Sequence, residues 1–171
     1  MGVINYDLDE NVKLPQIARE ILAMGEADQK AIERNDSSIK KLTVVHTGRV
    51  REIISEFGYP VISLVGKKAS HWAWLVIQHS DHDVGFQESC LELMESAPGG
   101  EVAKANIAYL VDRVRENRGL PQIYGTQFVE KNGKLDVWQV ENLGELDKRR
   151  KEMELNSFEE YKNDFFSDKV Q

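Results

Sequence analysis

Residues 68–83 read KASHWAWLVIQHSDHD, and this stretch decides the fold class. The segment from Lys68 to Ile77 is strongly apolar and carries Trp72 and Trp74, which is typical of a core helix. The polar run that follows, residues 78–83, places two imidazoles, two carboxylates and an amide side by side. Apolar residues continue as far as Met94, so the stretch predicts one long helix or two helices joined near residues 80–85.

Helical spacing of apolar residues predicts further helices on both sides of this stretch. They cover residues 14–34, 47–57 with Thr47 as N-cap, 101–117, 143–155, and 157–166 with Ser157 and Glu160 as a capping box. Residues 39–45 fit either a helical turn or an extended piece. Residues 61–66 are interpreted as a short apolar connector.

The sequence period changes after Pro121, where apolar and polar residues begin to alternate. Residues 123–140 therefore predict a β-hairpin, with Asn132-Gly133 as its turn. We predict a mainly α fold: a compact helical domain of about six helices with one β-hairpin in the C-terminal half. The length of 171 residues favours a single domain over residues 1–171, with residues 1–13 as an N-terminal extension.

The composition narrows the classes of function. Hydrophobic residues make up 41% of the chain and charged residues 30%, which is typical of a globular protein. The net charge of -7 argues against a nucleic-acid partner, and the longest apolar run is too short to span a membrane. The single cysteine, Cys90, excludes an intramolecular disulfide and is interpreted as a small buried hydrophobe. Together with an acidic N-terminus that does not resemble a signal peptide, these features predict a cytoplasmic location and leave the oligomeric state open.

The first candidate site is the run around His79. If the helix were continuous, His79, His82 and Asp83 would share one face, and Gln87 would extend it by one turn. Such a set can serve as an acid–base pair in which a carboxylate orients a histidine. A divalent metal held by His79, His82 and Asp83 is an alternative, although no cofactor is predicted. A solvated helix end, or a histidine buried for packing alone, would explain the same residues.

The adjacent His82 and Asp83 also invite comparison with HD-type metal phosphohydrolases, which are all-helical. Those enzymes need a second His and a second Asp from other helices. His46 and Asp112 are the candidates for these two positions in this chain. An HD-like, metal-dependent phosphohydrolase is therefore retained as an alternative.

The second candidate site is the segment LPQIYGTQF, residues 120–128. Its amides, phenol and hydroxyl surround Gly125, and such groups bind polar ligands better than they break bonds. An ordinary half-exposed strand would explain the same pattern. On the preceding helix, Asp112 and Arg113 could face either cluster, although such pairs are usually structural. The basic run at residues 148–151, KRRK, is interpreted as a solvated helix face.

Seven segments follow one another in the order GYP, LVG, AWLVIQHSDHDVGFQ, AYLVDRV, PQIYGTQF, VEN and LDKRR. This order resembles that of a bacterial family known only as a domain of unknown function. Its hallmarks are a Gln-His-x-x-Asp region and a Tyr-Gly-Thr-Gln segment, and the resemblance covers residues 47–161. By matching position it implies hallmark residues at Gln78, His79, Asp81, Asp83, Gln87, Asp112, Arg113, Gln122, Tyr124, Gly125, Thr126 and Gln127. The chain departs from the family at Ser80, where alanine is commoner, and at Asn142, where an acidic residue is usual. The resemblance implies no reaction.

These features together predict a polar ligand or catalytic pocket formed by the His79 helix and the Tyr124 hairpin. The candidate catalytic residues are His79, Asp81 and Asp83, with His79 as the acid–base group. The candidate ligand-binding residues are Gln78, Gln87, Asp112, Arg113, Gln122, Tyr124, Thr126 and Gln127. The expected activity, if the protein is an enzyme, is that of a hydrolase or transferase on a small polar molecule or a peptide.

A non-catalytic interaction module, of an immunity or regulatory type, is the rival prediction from another class of function. Its partner would be a protein rather than a small polar molecule. An acidic surface with exposed aromatic side chains, for instance Tyr161, Phe165 and Phe166, would suit such a partner.

Overall fold

A computed structural model describes residues 8, 11–34, 36–131 and 134–167 of the chain. Within these ranges, eight α-helices and a two-stranded antiparallel hairpin confirm the predicted mainly α fold with a hairpin in the C-terminal half. The chain divides into two compact units, Met1–Val102 and Ala103–Gln171. The single domain over residues 1–171 and the N-terminal extension over residues 1–13, most of which lies outside the described residues, stay predictions. No helix in the described ranges has both the length and the apolar character that crossing a membrane requires.

The first unit is built from five helices: α1 (Pro15–Glu33), α2 (Ile39–Phe57), α3 (Ile62–Val65), α4 (Lys67–Gln78) and α5 (Val84–Ser96). Helix α1 packs against α2, α3 and α4, and α4 also packs against α2, α3 and α5. The core of this unit includes Ile21, Leu22, Val50, Ile53, Trp74 and Ile77. Because the tryptophan-bearing helix α4 contacts four of its neighbours, it holds the centre of the unit, as its apolar sequence predicts.

Helix α2 is longer than the sequence predicts. It begins at Ile39, so the N-cap predicted at Thr47 is wrong, and residues 39–45 are helical. The Thr47 hydroxyl donates a hydrogen bond to the Thr43 carbonyl one turn back, at 2.8 Å. This is how threonine satisfies its hydroxyl inside a helix, so the residue does not mark a start. The connector predicted at residues 61–66 contains the short helix α3.

Two buried residues of the first unit behave as small fillers. Cys90 on α5 is 1% exposed, and burial raises the pKa of its thiol to about 12, which confirms the prediction of a buried hydrophobe. Gly25 on α1 lies directly under the Trp72 ring, and a Cβ at this position would overlap the indole. The glycine therefore allows α1 and α4 to approach closely.

The second unit contains α6 (Lys104–Asn117), β1 (Phe128–Lys131), β2 (Lys134–Val137), a 3-10 turn (Leu143–Glu145), α7 (Leu146–Glu152) and α8 (Phe158–Ser167). The two strands pair with Phe128 opposite Val137. The turn predicted at Asn132-Gly133 lies outside the described residues. The charged helix predicted over residues 143–155 is thus a 3-10 turn followed by the shorter α7.

The hairpin is shorter than the predicted range of residues 123–140. Residues 123–127 are irregular, and Gln122 forms only an isolated bridge with Val140. Gly125 has a left-handed backbone (φ 66°), which interrupts the alternation of a strand. The amides of residues 123, 124 and 126 also point to a side chain rather than to a neighbouring strand. The predicted Tyr124 strand is therefore a loop that leads into β1.

The start of α8 confirms the predicted capping box. The Ser157 amide donates to the Glu160 carboxylate at 3.0 Å, and the Glu160 amide donates back to the Ser157 hydroxyl at 3.3 Å. The prediction of exposed aromatic residues on this helix is wrong for Tyr161 and Phe165, which are half-buried. Phe165 stacks on Phe128 of β1 with ring centroids 3.9 Å apart. This aromatic contact packs α8 against the hairpin. The Phe166 side chain lies outside the described residues.

Candidate functional site

The His79 cluster lies in a turn between two helices. Helix α4 ends at Gln78, His79 is its C-cap, and α5 begins at Val84. The prediction that His79, His82 and Asp83 share one helical face is therefore wrong, because the helix is interrupted between the first and the other two. Of the two predicted arrangements, the pair of helices joined near residues 80–85 is the one observed. We call residues 79–83 the His79 turn.

A buried glutamine holds the first half of the His79 turn. Gln87 on α5 is fully buried, and its amide nitrogen lies 3.1 Å from the Ile77 carbonyl oxygen and 3.2 Å from that of Gln78. The same nitrogen lies 3.3 Å from a carboxylate oxygen of Asp81. Gln87 thus gives two carbonyls at the end of α4 a side-chain donor, and the Ile77 carbonyl also accepts from the Ser80 amide at 3.0 Å. Gln87 also contacts the carboxylate of Asp81, one of the candidate catalytic residues.

A pair of buried hydroxyls ties the turn to α2. Ser80 is fully buried, and its hydroxyl lies 2.7 Å from the Thr47 hydroxyl and 2.7 Å from the Val76 carbonyl oxygen. The Ser80 hydroxyl therefore adds a buried polar contact between the turn and α2. An alanine would leave the Thr47 hydroxyl without this partner.

The end of the turn is held by a charged side chain. Asp83 is the N-cap of α5 and accepts from the Phe86 amide at 3.0 Å. Its other carboxylate oxygen pairs with Arg51 of α2, whose guanidinium lies 4.2 Å from the centre of the Phe86 ring. Half of the Arg51 side chain is exposed, so this ion pair orients the turn more than it stabilises the fold. The predicted catalytic Asp83 is therefore engaged as a helix cap.

What the turn presents to solvent is a small polar group. The side chains of His79, Asp81 and His82 are exposed, whereas Gln78 and Gln87 are buried. An imidazole can accept or donate a proton near neutral pH, and a nearby carboxylate can orient it. The turn thus exposes three polar side chains, those of His79, Asp81 and His82, while buried hydrogen bonds hold its backbone in place.

The described residues contain no group of three or more His, Cys, Asp or Glu side chains arranged to hold a metal ion. His46, proposed as an upstream HD-type ligand, instead pairs with Asp28 of α1 through its Nδ1 at 2.9 Å. The sequence alone did not indicate this partly buried Asp28–His46 pair. Residues 18 positions apart meet only because α1 and α2 pack together, and neither position carries a local motif.

In the second unit, Asp112 organises the segment from Gln122 to Gln127, which we call the Tyr124 loop. The Asp112 carboxylate is fully buried on α6 and accepts from the amides of Ile123 (2.7 Å), Tyr124 (3.0 Å) and Thr126 (3.0 Å). It also accepts from the Thr126 hydroxyl at 2.9 Å. Burial raises the pKa of this carboxyl, and the amide hydrogen bonds offset part of the rise. The oxygens of the Asp112 carboxylate thus accept hydrogen bonds from the Tyr124 loop.

Two buried glutamines complete the Tyr124 loop. Gln122 accepts from the Gln127 amide at 2.8 Å and donates to the carbonyls of Gln127 (3.1 Å) and Trp138 (2.8 Å). The Gln127 side chain donates to the Thr126 hydroxyl at 2.7 Å. All three loop side chains are buried, so these predicted ligand-binding groups bond within the loop and its neighbours. Tyr124 and Arg113 are half-buried, and Arg113 pairs with Glu116 on its own helix.

The carbonyl side of the loop is held by the basic run on α7. Arg150 is 1% exposed and donates to the carbonyls of Tyr124 (2.6 Å) and Asn156 (2.7 Å). Arg149 donates to the Ile123 carbonyl at 2.9 Å. The prediction of a solvated helix face is wrong for these two arginines. The spacing of four residues from the buried Leu146 is the sequence signal that places Arg150 on the inner face.

Gly125 is required at the centre of the loop. Its backbone is left-handed, and a Cβ there would lie 2.8 Å from the Phe158 ring. Beside it, the Tyr161 hydroxyl donates to the Thr126 carbonyl at 2.8 Å, and the Tyr161 ring lies 4.8 Å from the Arg150 guanidinium carbon. Loop and helix α8 therefore pack without space for a side chain at this position.

The two clusters belong to different units, and their predicted convergence on one pocket stays a prediction. Comparison with known proteins finds that the sequence model of a family described as "Family of unknown function (DUF6624)" matches residues 15–170. No curated protein and no solved structure matches the chain. The matched range includes the His79 turn and the Tyr124 loop, and it confirms the predicted membership of a domain-of-unknown-function family. The chain therefore belongs to the family of unknown function DUF6624.

Proposed function

We propose that this protein binds a small polar ligand at the His79 turn, with His79 as the group that contacts the ligand or exchanges a proton with it. One observation carries the proposal. The backbone of the turn is fixed by Gln87, Ser80 and Asp83, while the side chains of His79, Asp81 and His82 face solvent. Binding groups held by a supporting layer of hydrogen bonds lose little freedom when a ligand arrives.

Burying the side-chain amide of Gln87 costs desolvation free energy, and filling the space beneath the turn would not by itself require an amide. Gln87 is a fully buried amide, and an apolar residue of similar size would fill the same space without polar atoms to satisfy. The chain keeps the amide, which aligns the end of α4 and the Asp81 carboxylate. The reaction we expect, if the site is catalytic, is a hydrolysis or a group transfer in which His79 moves the proton and Asp81 orients the imidazole.

The test is a ligand screen by two-dimensional NMR on the full chain. The probes are free amino acids, dipeptides, nucleosides and sugar phosphates, each at about 5 mM, which detects affinities in the millimolar range. We expect at least one class to shift the amide signals of residues 79–83 in a saturable manner. Signals that stay in place with every probe would refute the proposal.

A pair of variants makes the screen specific. We expect H79A to weaken binding about tenfold or more, which corresponds to losing about 1.4 kcal/mol of binding free energy. His71, which is also exposed on α4 but lies outside the turn, provides the control. H71A should bind as the wild type does, and H79A with undiminished binding would contradict the assigned role of His79.

The interaction module remains the second candidate function, because of a separate observation. Val44 and Val45 on α2 are 52% and 58% exposed, side by side on one helix. Large apolar side chains that lie together on a surface are typical of protein contacts. The HD-like alternative is not taken further, because His82 and Asp83 join no metal-binding group among the described residues.

A further inference from the structure

Helix α2 has two faces of different character. The inner face buries His46, Thr47, Val50 and Ile53. The opposite face is exposed and follows helical spacing; it consists of Lys41, Val44, Val45, Gly48 and Glu52. We call these five residues the outer face of α2.

The centre of the outer face is built from poor helix formers. Valine and glycine disfavour a helix relative to alanine, glycine by about 1 kcal/mol. No described atom lies within 4 Å of a Cβ placed on Gly48, so contacts inside the described chain do not demand a glycine there. Residues that cost stability without a gain inside the fold point to a contact outside it. A glycine one turn after the exposed Val44 and Val45 allows another helix to come close.

The charges of the outer face are arranged for a copy of itself. Lys41 lies near the start of α2 and Glu52 near its end, each 5.5 residues, or about 8 Å, from a midpoint between His46 and Thr47. If two α2 helices lie antiparallel about this midpoint, Lys41 of each copy faces Glu52 of the other. Glu52 also accepts from Arg49 on its own helix at 2.7 Å, and its side chain is 68% exposed, so the carboxylate can be reached by a second cation. Val45 of each copy then lies over Gly48 of the other, where there is room for its methyl groups.

We propose that the outer face of α2 is a self-association surface, on which a second copy of this chain docks antiparallel about a two-fold axis. Such an interface is isologous, because one patch meets the same patch on the other copy. A single pair of helices buries less surface than a permanent dimer needs, so we expect a dissociation constant on the order of 10 µM. The proposal goes beyond the ligand site and does not depend on it.

The test is sedimentation of the full chain from about 1 µM to 300 µM, a range that brackets the expected dissociation constant. We expect the average mass to rise from that of a monomer towards that of a dimer. G48E should stay monomeric over the whole range, since it places a charge at the centre of the contact. Because glutamate is a better helix former than glycine, this variant should keep or gain thermal stability. A23E, at an exposed position of α1, is the matched control and should dimerise normally.

A charge swap tests the antiparallel register. K41E and E52K should each weaken the dimer about fivefold or more, because each places like charges opposite one another in two symmetric contacts. The double variant K41E/E52K should recover most of the affinity. A chain that remains monomeric at every concentration would overturn the proposal, as would a dimer that G48E leaves intact.

Discussion

The His79 turn and the Tyr124 loop contain the same kinds of polar residue, but their side chains point in opposite directions. Each is a short irregular segment held by a buried glutamine and an aspartate. In the turn, the polar side chains of His79, Asp81 and His82 face solvent. In the loop, Gln122, Thr126 and Gln127 face inward and bond to the loop itself or its neighbours. A polar cluster in a sequence can thus have two structural roles. Its side chains either face solvent, where a ligand can reach them, or turn inward and hold the backbone in place by hydrogen bonds.

The two regions also differ in what they bury. The fully buried support of the turn consists of neutral groups, with the charged Asp83 only partly buried, whereas the loop is held between a buried carboxylate, Asp112, and a buried guanidinium, Arg150. Removing one partner of a buried charged arrangement costs more than removing a neutral hydrogen bond. We therefore expect changes in the loop to affect stability and changes in the exposed part of the turn to affect binding.

The largest effect is expected for Asp112. D112A should lower the free energy of unfolding by about 3 to 5 kcal/mol, because three amides and the Thr126 hydroxyl lose a buried acceptor. Urea unfolding followed by circular dichroism measures this. If D112A does not fold, D112N keeps one acceptor oxygen and should lose about 2 kcal/mol. D164A, at an exposed aspartate of α8, is the control, and a loss of less than about 1 kcal/mol for D112A would contradict the role of the loop.

The next largest effect is expected for Gly125. G125A should cost about 2 to 3 kcal/mol, since alanine disfavours the left-handed backbone and its Cβ would press on Phe158. Calorimetry should show the loss as a lower Tm. G144A is the matched control in the same unit, because a Cβ there would meet only Asn142 at an ordinary distance of 3.7 Å. Equal Tm values for the two variants would mean that the loop relaxes easily.

A smaller loss is expected for Gln87. Q87L should cost about 1 to 2 kcal/mol, because the carbonyls of Ile77 and Gln78 lose the buried side-chain amide as a donor while an apolar side chain still fills the space. Chemical denaturation gives the free energy, and NMR shifts at residues 79–83 report the turn. Q29L, at an exposed glutamine of α1, should leave both unchanged. A turn whose signals do not move in Q87L would show that Gln87 does not position it.

The smallest effect on stability is expected for the exposed imidazoles. H79A and H82A should each change the free energy of unfolding by no more than about 0.5 kcal/mol, since both side chains face solvent. The same denaturation experiment measures this. A loss above about 1 kcal/mol in either variant would place that histidine among the supporting groups and remove the contrast between turn and loop.

Much of the fold could be predicted from sequence because it follows apolar spacing. The Trp72–Ile77 core segment, the capping box at Ser157 and the buried Cys90 all carry local signals. The start of α2 was missed because Thr47 is chemically a good N-cap and only its bond to the Thr43 carbonyl shows it to be internal. The length of the hairpin was overestimated because the sequence around Tyr124 alternates like a strand.

For the candidate site, residue types were predictable but their directions were not. Whether Gln122 faces a ligand or a backbone carbonyl depends on partners such as Trp138, which is 16 positions away. The pairing of Asp28 with His46 likewise depends on how α1 and α2 pack. Long-range contacts of this kind leave no mark in the local sequence.

The Tyr124 loop is bound by one carboxylate and by two guanidinium groups, and their order in the sequence affects how the chain folds during synthesis. Asp112 precedes the loop in the sequence, whereas Arg149 and Arg150 follow it. During synthesis, the amide side of the loop can be bound as soon as the loop has emerged from the ribosome, but its carbonyl side has no partner until α7 is also free. A nascent chain that ends before Arg149 therefore lacks the donors for the loop carbonyls, and the second unit can complete its folding only after α7 has left the ribosome.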